Sequence, residues 1–145
     1  MSNRLKELFL IAHIAGRTFA ICSEQVESVV DIGEITPVPR APELVRGLAT
    51  LRSRVVTVID TRTALGLESE GTAARAVIVR VDGHHYAMLV DALDDVSAFD
   101  LQPLANGTAL AAGWRGTATG IIERDGEPVL AIDLTALVPR AVAAA

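Results

Sequence analysis

Residues 47–60 read Gly47-Leu48-Ala49-Thr50-Leu51-Arg52-Ser53-Arg54-Val55-Val56-Thr57-Val58-Ile59-Asp60. Two apolar stretches, Arg46–Leu51 and Arg54–Ile59, flank the two-residue joint Arg52-Ser53, the pattern of a tight β-hairpin. The stretch recurs 73 positions further on. Gly47 matches Gly120, Leu48 matches Ile121, Val56 matches Val129, Ile59 matches Ile132 and Asp60 matches Asp133. A second gapless match runs at an offset of 67. It pairs Leu10 with Val77, Ile14 with Val81, Gly16 with Gly83 and Phe19 with Tyr86. Past the strands it pairs Glu24 with Asp91, Val26 with Leu93, Glu27 with Asp94 and Val29 with Val96. Two windows in the same order, with one longer loop in the second half, indicate two copies of a hairpin–link–hairpin unit.

Leu8–Ile14, Thr18–Cys22, Arg75–Val81, His85–Val90, Gly116–Glu123 and Glu127–Ile132 read as the remaining strands. Their joints are Ala15-Gly16, Asp82-Gly83 and Asp125-Gly126. Asp-Gly signals a hairpin because glycine accepts the positive φ of a primed turn. Ser23 followed by Glu24–Val30 predicts a capped helical turn with Val26, Val29 and Val30 on one face. Asp60–Leu65 and Asp133–Leu137 predict two more, stopped by Gly66 and Pro139. Asp31–Glu43, with Pro37, Pro39 and Pro42, is expected to cross the surface, Leu67–Ala74 to separate the halves, and the tail Arg140–Ala145 to fray. Four strands per unit and one from the crossing close a small barrel. The expectation is therefore an all-β, mainly β fold: one domain over 1–145 with two five-stranded β-barrels, 8–66 and 75–138, related by internal duplication, with short helical turns. They pack about an approximate two-fold axis with a groove between them.

Composition excludes several classes. The chain has 145 residues, half of them hydrophobic and 21% charged, which excludes general disorder. Its formal charge of −5 and the lack of any Lys/Arg run argue against a nucleic-acid partner. A single cysteine, Cys22, excludes an internal disulfide and a cysteine zinc cluster, and fits a reducing compartment. Cys22 matches Leu89 and reads as a core residue. The apolar run Leu8–Ala15 follows Arg4 and Lys6. Glu7 at its head, His13 within it and the lack of a clean cleavage site argue against a signal peptide. No other run approaches the ~20 residues of a membrane span. The expected location is the cytoplasm.

Catalytic constellations are equally scarce. Asp60 and Asp133 each end a strand in Ile-Asp, which raises the paired carboxylates of aspartic proteases. Asp60-Thr61 begins that signature, but Arg62 and Leu134 break it, and both aspartates read as helix caps. His84 and His85 point to opposite faces of a strand, so they read as exposed turn residues and not as a metal pair. No nucleophile has a recognisable base, no phosphate-binding glycine loop occurs, and no cofactor is expected. Trp114, between Gly113 and Arg115, is expected to lie as a lid over one barrel end. The chain reads as a binding module and not an enzyme.

Residues 47–60 also resemble the signature of the CheW-like coupling domains of bacterial chemotaxis, which run glycine, apolar residues, Asn-Leu-Arg-Gly, then Val-x-Pro-Val-Ile-Asp-Leu. Thr36-Pro37-Val38-Pro39 is similar to the loop before it. Val90-Asp91-Ala92-Leu93-Asp94-Asp95-Val96 is similar to the family's Val-Asp-x-Val-x-Asp-Val. The resemblance covers about Leu8 to Val138. It implies two SH3-like barrels around a hydrophobic joint, in an adaptor coupling the cytoplasmic tips of methyl-accepting chemoreceptors to the regulatory domain of a CheA-type histidine kinase. On that reading Gly47 and Arg52 lie at one barrel end and contact the kinase. Val26 and Val29 from one half, with Leu93 and Val96 from the other, wall the receptor groove. Thr50 and Ser53 replace the family's usual asparagine and glycine. Ser28 replaces a glutamate that usually pairs with the turn arginine, and Glu27, on a helix, would point about 100° away. These departures raise an alternative, a divergent member that binds the kinase but competes with standard coupling. The remote alternative is a small hydrolase using Asp60 and Asp133.

Overall fold

The computed structural model describes residues 6–68, 74–104, 114 and 116–138. The tail 140–145 and the middle of the link between the halves, 69–73, lie outside the described residues. Among the described residues, ten strands form two five-stranded sheets. β1 (Glu7–Ile14) and β2 (Arg17–Cys22) form one hairpin, and β6 (Arg75–Val81) and β7 (His84–Val90) its duplicate. β4 (Val45–Leu51) and β5 (Arg54–Ile59) form the second hairpin, duplicated by β9 (Ala118–Arg124) and β10 (Glu127–Ile132). β3 (Ser28–Asp31) and β8 (Ala92–Phe99) are edge strands.

The two sheets run β8-β1-β2-β10-β9 and β3-β6-β7-β5-β4. Replacing each strand of the first order by its duplicate yields the second, which is the topology a duplication requires. The halves do not, however, close separate barrels over 8–66 and 75–138 as expected. Each half gives its first hairpin to one sheet and its remaining strands to the other. The exchange is sealed by two parallel pairings, β2 with β10 (Phe19 opposite Leu130) and β7 with β5 (Tyr86 opposite Thr57). A hairpin is a local structure, and nothing local says which sheet it joins.

The fifth strand of each sheet is also not the crossing. It is β3, within the segment read above as a helical turn, and β8, its duplicate in the second half. Only Ser23–Gln25 winds, as a 3-10 turn, before the chain extends from Ser28 to Asp31. Ser28, Val29 and Val30 pair with Ile78, Val77 and Ala76, so the sheet edge outweighs a short helical pattern. Beyond β3 the crossing bridges its sheet between Thr36 and Leu48, and Gln102 bridges Ile121 in the same way.

Side-chain alternation sorts three cores. Leu10, Ala12, Ile14, Phe19 and Ile21 meet Val77, Val79, Tyr86, Met88 and Val90 in a joint core between the sheets. The opposite faces fill the interior of each sheet separately. Phe9, Ile11, Ala20, Ile122 and Val129 form one interior; Val56, Val58, Ile78, Ala87 and Leu89 form the other. The first hairpins are thus buried on both faces, which is why their sequences are continuous apolar runs. Cys22 packs beside the first interior.

Candidate functional site: the barrel ends and the joint

The β4–β5 turn places Arg52 at the tip of its hairpin. All four hairpins use two left-handed residues, with φ of 52° and 78° at Ala15-Gly16, 51° and 82° at Asp82-Gly83, and 51° and 81° at Asp125-Gly126. At Arg52-Ser53 the values are 49° and 68°, without a glycine. Arg52 lines a hollow of about 550 Å³ with Glu27, Ser28 and Val29 of the β3 edge, and with Arg54 and His85. The sequence departure at Ser28 thus faces the turn arginine across this hollow. His85 Nε2 lies 2.8 Å from Glu27 Oε2 and 2.7 Å from Arg54 Nη1. One nitrogen cannot donate to the carboxylate and accept from the guanidinium at once, so the ring's tautomer selects between them. His85 is therefore part of the hollow, and only His84 is an exposed turn residue. Arg52 itself has no side-chain partner among the described residues.

The duplicate hollow, about 490 Å³, is lined by Ile11, Leu93, Asp94, Asp95, Ser97 and Arg124. Here the seam between the edge strands is latched. Arg124 Nη2 of β9 donates to Asp94 Oδ2 of β8 at 2.7 Å, and His13 Nε2 lies 2.9 Å from the same oxygen. The hydrogen bond with His13 is the main cause holding the Asp94 carboxyl below its ordinary value of 3.8; the His13 and Arg124 charges and the Arg124 hydrogen bond add to it against the cost of desolvation. At the first hollow the residues duplicated by Asp94 and Arg124 are Glu27 and Leu51, and leucine cannot close the latch.

Gly47 does not stand at this hollow. It is buried in β4 with φ of 146°, and a Cβ there would come within 2.2 Å of the Thr36 carbonyl oxygen. Its contribution is to let the crossing strand lie on the sheet. Gly120 has the same relation to Gln102, at 2.4 Å. Of the proposed groove wall, Val26 and Leu93 are half-buried against the joint core. Val29 and Val96 are 42% and 48% exposed. They stand opposite Val77 and Leu10, both joint-core residues, so all four border the joint: Val26 just after the 3-10 turn, Val29 on β3, and Leu93 and Val96 on β8. Val29 also lines the Arg52 hollow.

The two aspartates are structural. Asp60 Oδ1 accepts from the Thr63 N–H at 3.3 Å, and Asp60 Oδ2 accepts from Arg46 Nε at 3.1 Å. Asp133 accepts from the Thr135 N–H at 2.9 Å. Each caps the turn that follows it. Trp114 donates from Nε1 to the Leu65 carbonyl at 2.6 Å, packs edge-on against Phe19 at 5.5 Å, and carries the Arg17 guanidinium 5.4 Å from its ring centroid. It is a lid on the joint core, and it ties the second half of the chain to the first. The residues that sequence reasoning missed are His85, Arg54 and the Asp94–Arg124 latch. The only signal for them was the 67- and 73-residue matches, which place Asp94 opposite Glu27 and Arg124 opposite Leu51.

A duplicated ten-strand scaffold with two related hollows and no catalytic pair among the described residues matches one family model, the CheW-like domain, over residues 8–142. This chain belongs to the CheW-like family. Among relatives, it is 31% identical to the chemotaxis protein CheW of Rhizobium meliloti (strain 1021), with 96% of each chain covered. It is 24% identical to the chemotaxis protein CheW of Thermotoga maritima, with 95% of this chain and 92% of that one covered. A solved structure, the scaffolding protein TtCheW from Thermoanaerobacter tengcongensis, superposes with a TM-score of 0.77 at 24% identity, covering 88% of this chain and 89% of that one. The CheW-like membership makes the chain a non-catalytic chemotaxis adaptor, and the hydrolase alternative falls. No helix among the described residues is long and apolar enough to cross a membrane.

Proposed function

We propose that this chain couples the cytoplasmic tips of chemoreceptors to the regulatory domain of a CheA-type histidine kinase, in the cytoplasm. The observation that supports it is the half-open joint, where Val29 and Val96 stay exposed beside the buried Val77 and Leu10. A receptor tip is a helical hairpin, and helices dock by laying an apolar stripe into an apolar groove. Val26, Val29, Leu93 and Val96 supply such a wall. The kinase takes the barrel end that carries Arg52, which Gly47 supports from beneath by seating the crossing strand.

Burying a valine or leucine contributes about 1.5–3 kcal/mol, so two of them decide whether a micromolar contact exists. Val96→Lys puts a charge into the wall at an edge-strand position that solvent already reaches. Titration with a receptor-tip fragment is expected to show affinity reduced at least about tenfold, while binding of the kinase regulatory domain changes much less and the melting curve stays native. Unchanged receptor affinity in the folded variant sinks the groove assignment. A second reading is favoured by Ser28, which leaves Arg52 without the family's carboxylate partner: the chain binds kinase and competes with standard coupling. A wild-type protein that binds the kinase domain but no receptor tip decides for it.

A further inference from the structure

We infer that the hollow beside Arg52 is a binding site for a small oxyanion, gated by a proton on His85. The floor of the hollow is Val56 and Ile78, from the interior of the β3-β6-β7-β5-β4 sheet, so it is the open end of that interior. Its rim carries Arg52 and Arg54 with the hydroxyls of Ser28 and Thr50. Guanidinium forks and hydroxyl donors are the groups that bind a sulfate-like or phosphate-like ion. Arg52 has no side-chain partner among the described residues, and Arg54 meets only His85. The duplicated positions are all acidic. Arg52 matches Asp125, Arg54 matches Glu127, Thr50 matches Glu123 and Ser28 matches Asp95. Both copies build the same two-residue turn and edge strand, so the backbone does not dictate the sign of charge at these positions. Oxyanion binding here does not depend on the coupling role.

The gate is the position of His85 Nε2, 2.8 Å from Glu27 Oε2 and 2.7 Å from Arg54 Nη1. With the ring neutral and its proton on Nδ1, Nε2 accepts from Arg54 and holds the guanidinium, leaving the Glu27 carboxylate unpaired at the hollow. Protonated, Nε2 donates to Glu27 and keeps no lone pair for Arg54, which is freed to join Arg52. One proton thus removes the carboxylate that repels an anion and supplies a second guanidinium. Imidazole changes charge between about pH 5 and 8. The other charges around the ring are Arg80, opposite it on β6 and exposed, and Asp31 on the rim, which Arg75 holds at 3.4 Å. His84, its chain neighbour, points to the other face of the strand. The two rim arginines balance Glu27 and Asp31 while His85 is neutral, and a net positive charge appears on protonation. The duplicate end lacks this exchange. His13 Nδ1 lies 3.2 Å from Thr18 Oγ1 and its Nε2 2.9 Å from Asp94 Oδ2, so each nitrogen keeps a partner in both states.

NMR titration of the full chain with sulfate, at constant ionic strength and at about pH 5.5 and about pH 8, tests this, because imidazole changes charge between the two while sulfate stays divalent. Saturable shifts are expected at Ser28, Thr50, Arg52 and His85, with millimolar affinity at the lower pH and about tenfold weaker binding at the higher. By linkage, saturating sulfate is expected to raise the titration midpoint of His85 by about one pH unit and to move that of His84 much less. Arg52→Gln is expected to lose at least about tenfold in sulfate affinity at the lower pH, and Glu27→Gln to narrow the difference between the two pH values. Both substitutions fall on exposed positions, and melting curves confirm folding. The His85 midpoint in the wild type needs no variant. Shifts that fail to saturate at the lower pH, equal wild-type affinity at both pH values, a His85 midpoint that sulfate leaves unmoved, or undiminished affinity in a folded Arg52→Gln protein overturns the inference.

Discussion

Ser53 adopts φ of 68° at a position where the other three hairpins use glycine. A side chain in the left-handed region costs about 1 kcal/mol, and glycine regains less than that because it is freer when unfolded. Ser53→Gly is therefore expected to stabilise the chain by about 0.5 kcal/mol, a rise of about 1–2 °C in Tm. An unchanged or lower Tm would mean that Ser53 is held by something other than the turn. The residue that fixes Arg52 at the tip is thus not optimal for stability, which fits a tip kept for contact more than for folding. Ser28 acts at the same scale. Serine at that position leaves the guanidinium of Arg52 without a side-chain partner among the described residues, whereas at the duplicate seam Arg124 is held by Asp94.

The crossing strands show what an element demands of its neighbour. Thr36 and Gln102 each lie across a hairpin, and both cross it at a glycine. At Gly120 the added Cβ would sit 2.4 Å from the Gln102 carbonyl oxygen and 2.8 Å from Leu101 Cδ1. Backbone cannot yield as a flexible side chain does, so Gly120→Ala is expected to cost about 3 kcal/mol by overpacking. Gly116, a few residues earlier, has open space around its Cα and no left-handed φ. Gly116→Ala is expected to lie within about 0.5 kcal/mol of wild type. Denaturant titration of the pair checks this, and equal stabilities would remove the close approach as the reason for Gly120. The same comparison explains why Gly47 stands in the signature stretch without reaching the barrel end.

At the scale of the whole molecule, the exchange of hairpins makes the halves interdependent. β1 and β2 complete their sheet only with β8, β9 and β10. Trp114 spans the same division, through Leu65 and Phe19. Residues 1–68 and 69–145 made separately are expected to be unfolded, since each alone leaves the joint core exposed. Mixed, they are expected to recover β structure and the fluorescence shift of Trp114 packing against Phe19. A half that folds cooperatively alone would contradict the interlocked topology. This interlocking also keeps Val29 and Val96, on opposite edge strands, at a fixed relation across one joint core.

Sequence by itself determined the local elements and the duplication. Eight strands, four two-residue turns and two aspartate caps depend on neighbours in the chain, and the repeat of Gly47–Asp60 at Gly120–Asp133 survives because both copies fold under the same local rules. Residues 28–30 extend where their pattern predicts a helical turn, because β3 is four residues long and only the free edge of β6 makes it a strand. The tertiary structure alone decided which sheet each hairpin entered, that Arg52 and Ser28 share a hollow, and that Arg124 latches one seam while the other stays open. Those depend on contacts between residues far apart in sequence, and a hairpin's own pattern of apolar residues is satisfied equally well by either sheet.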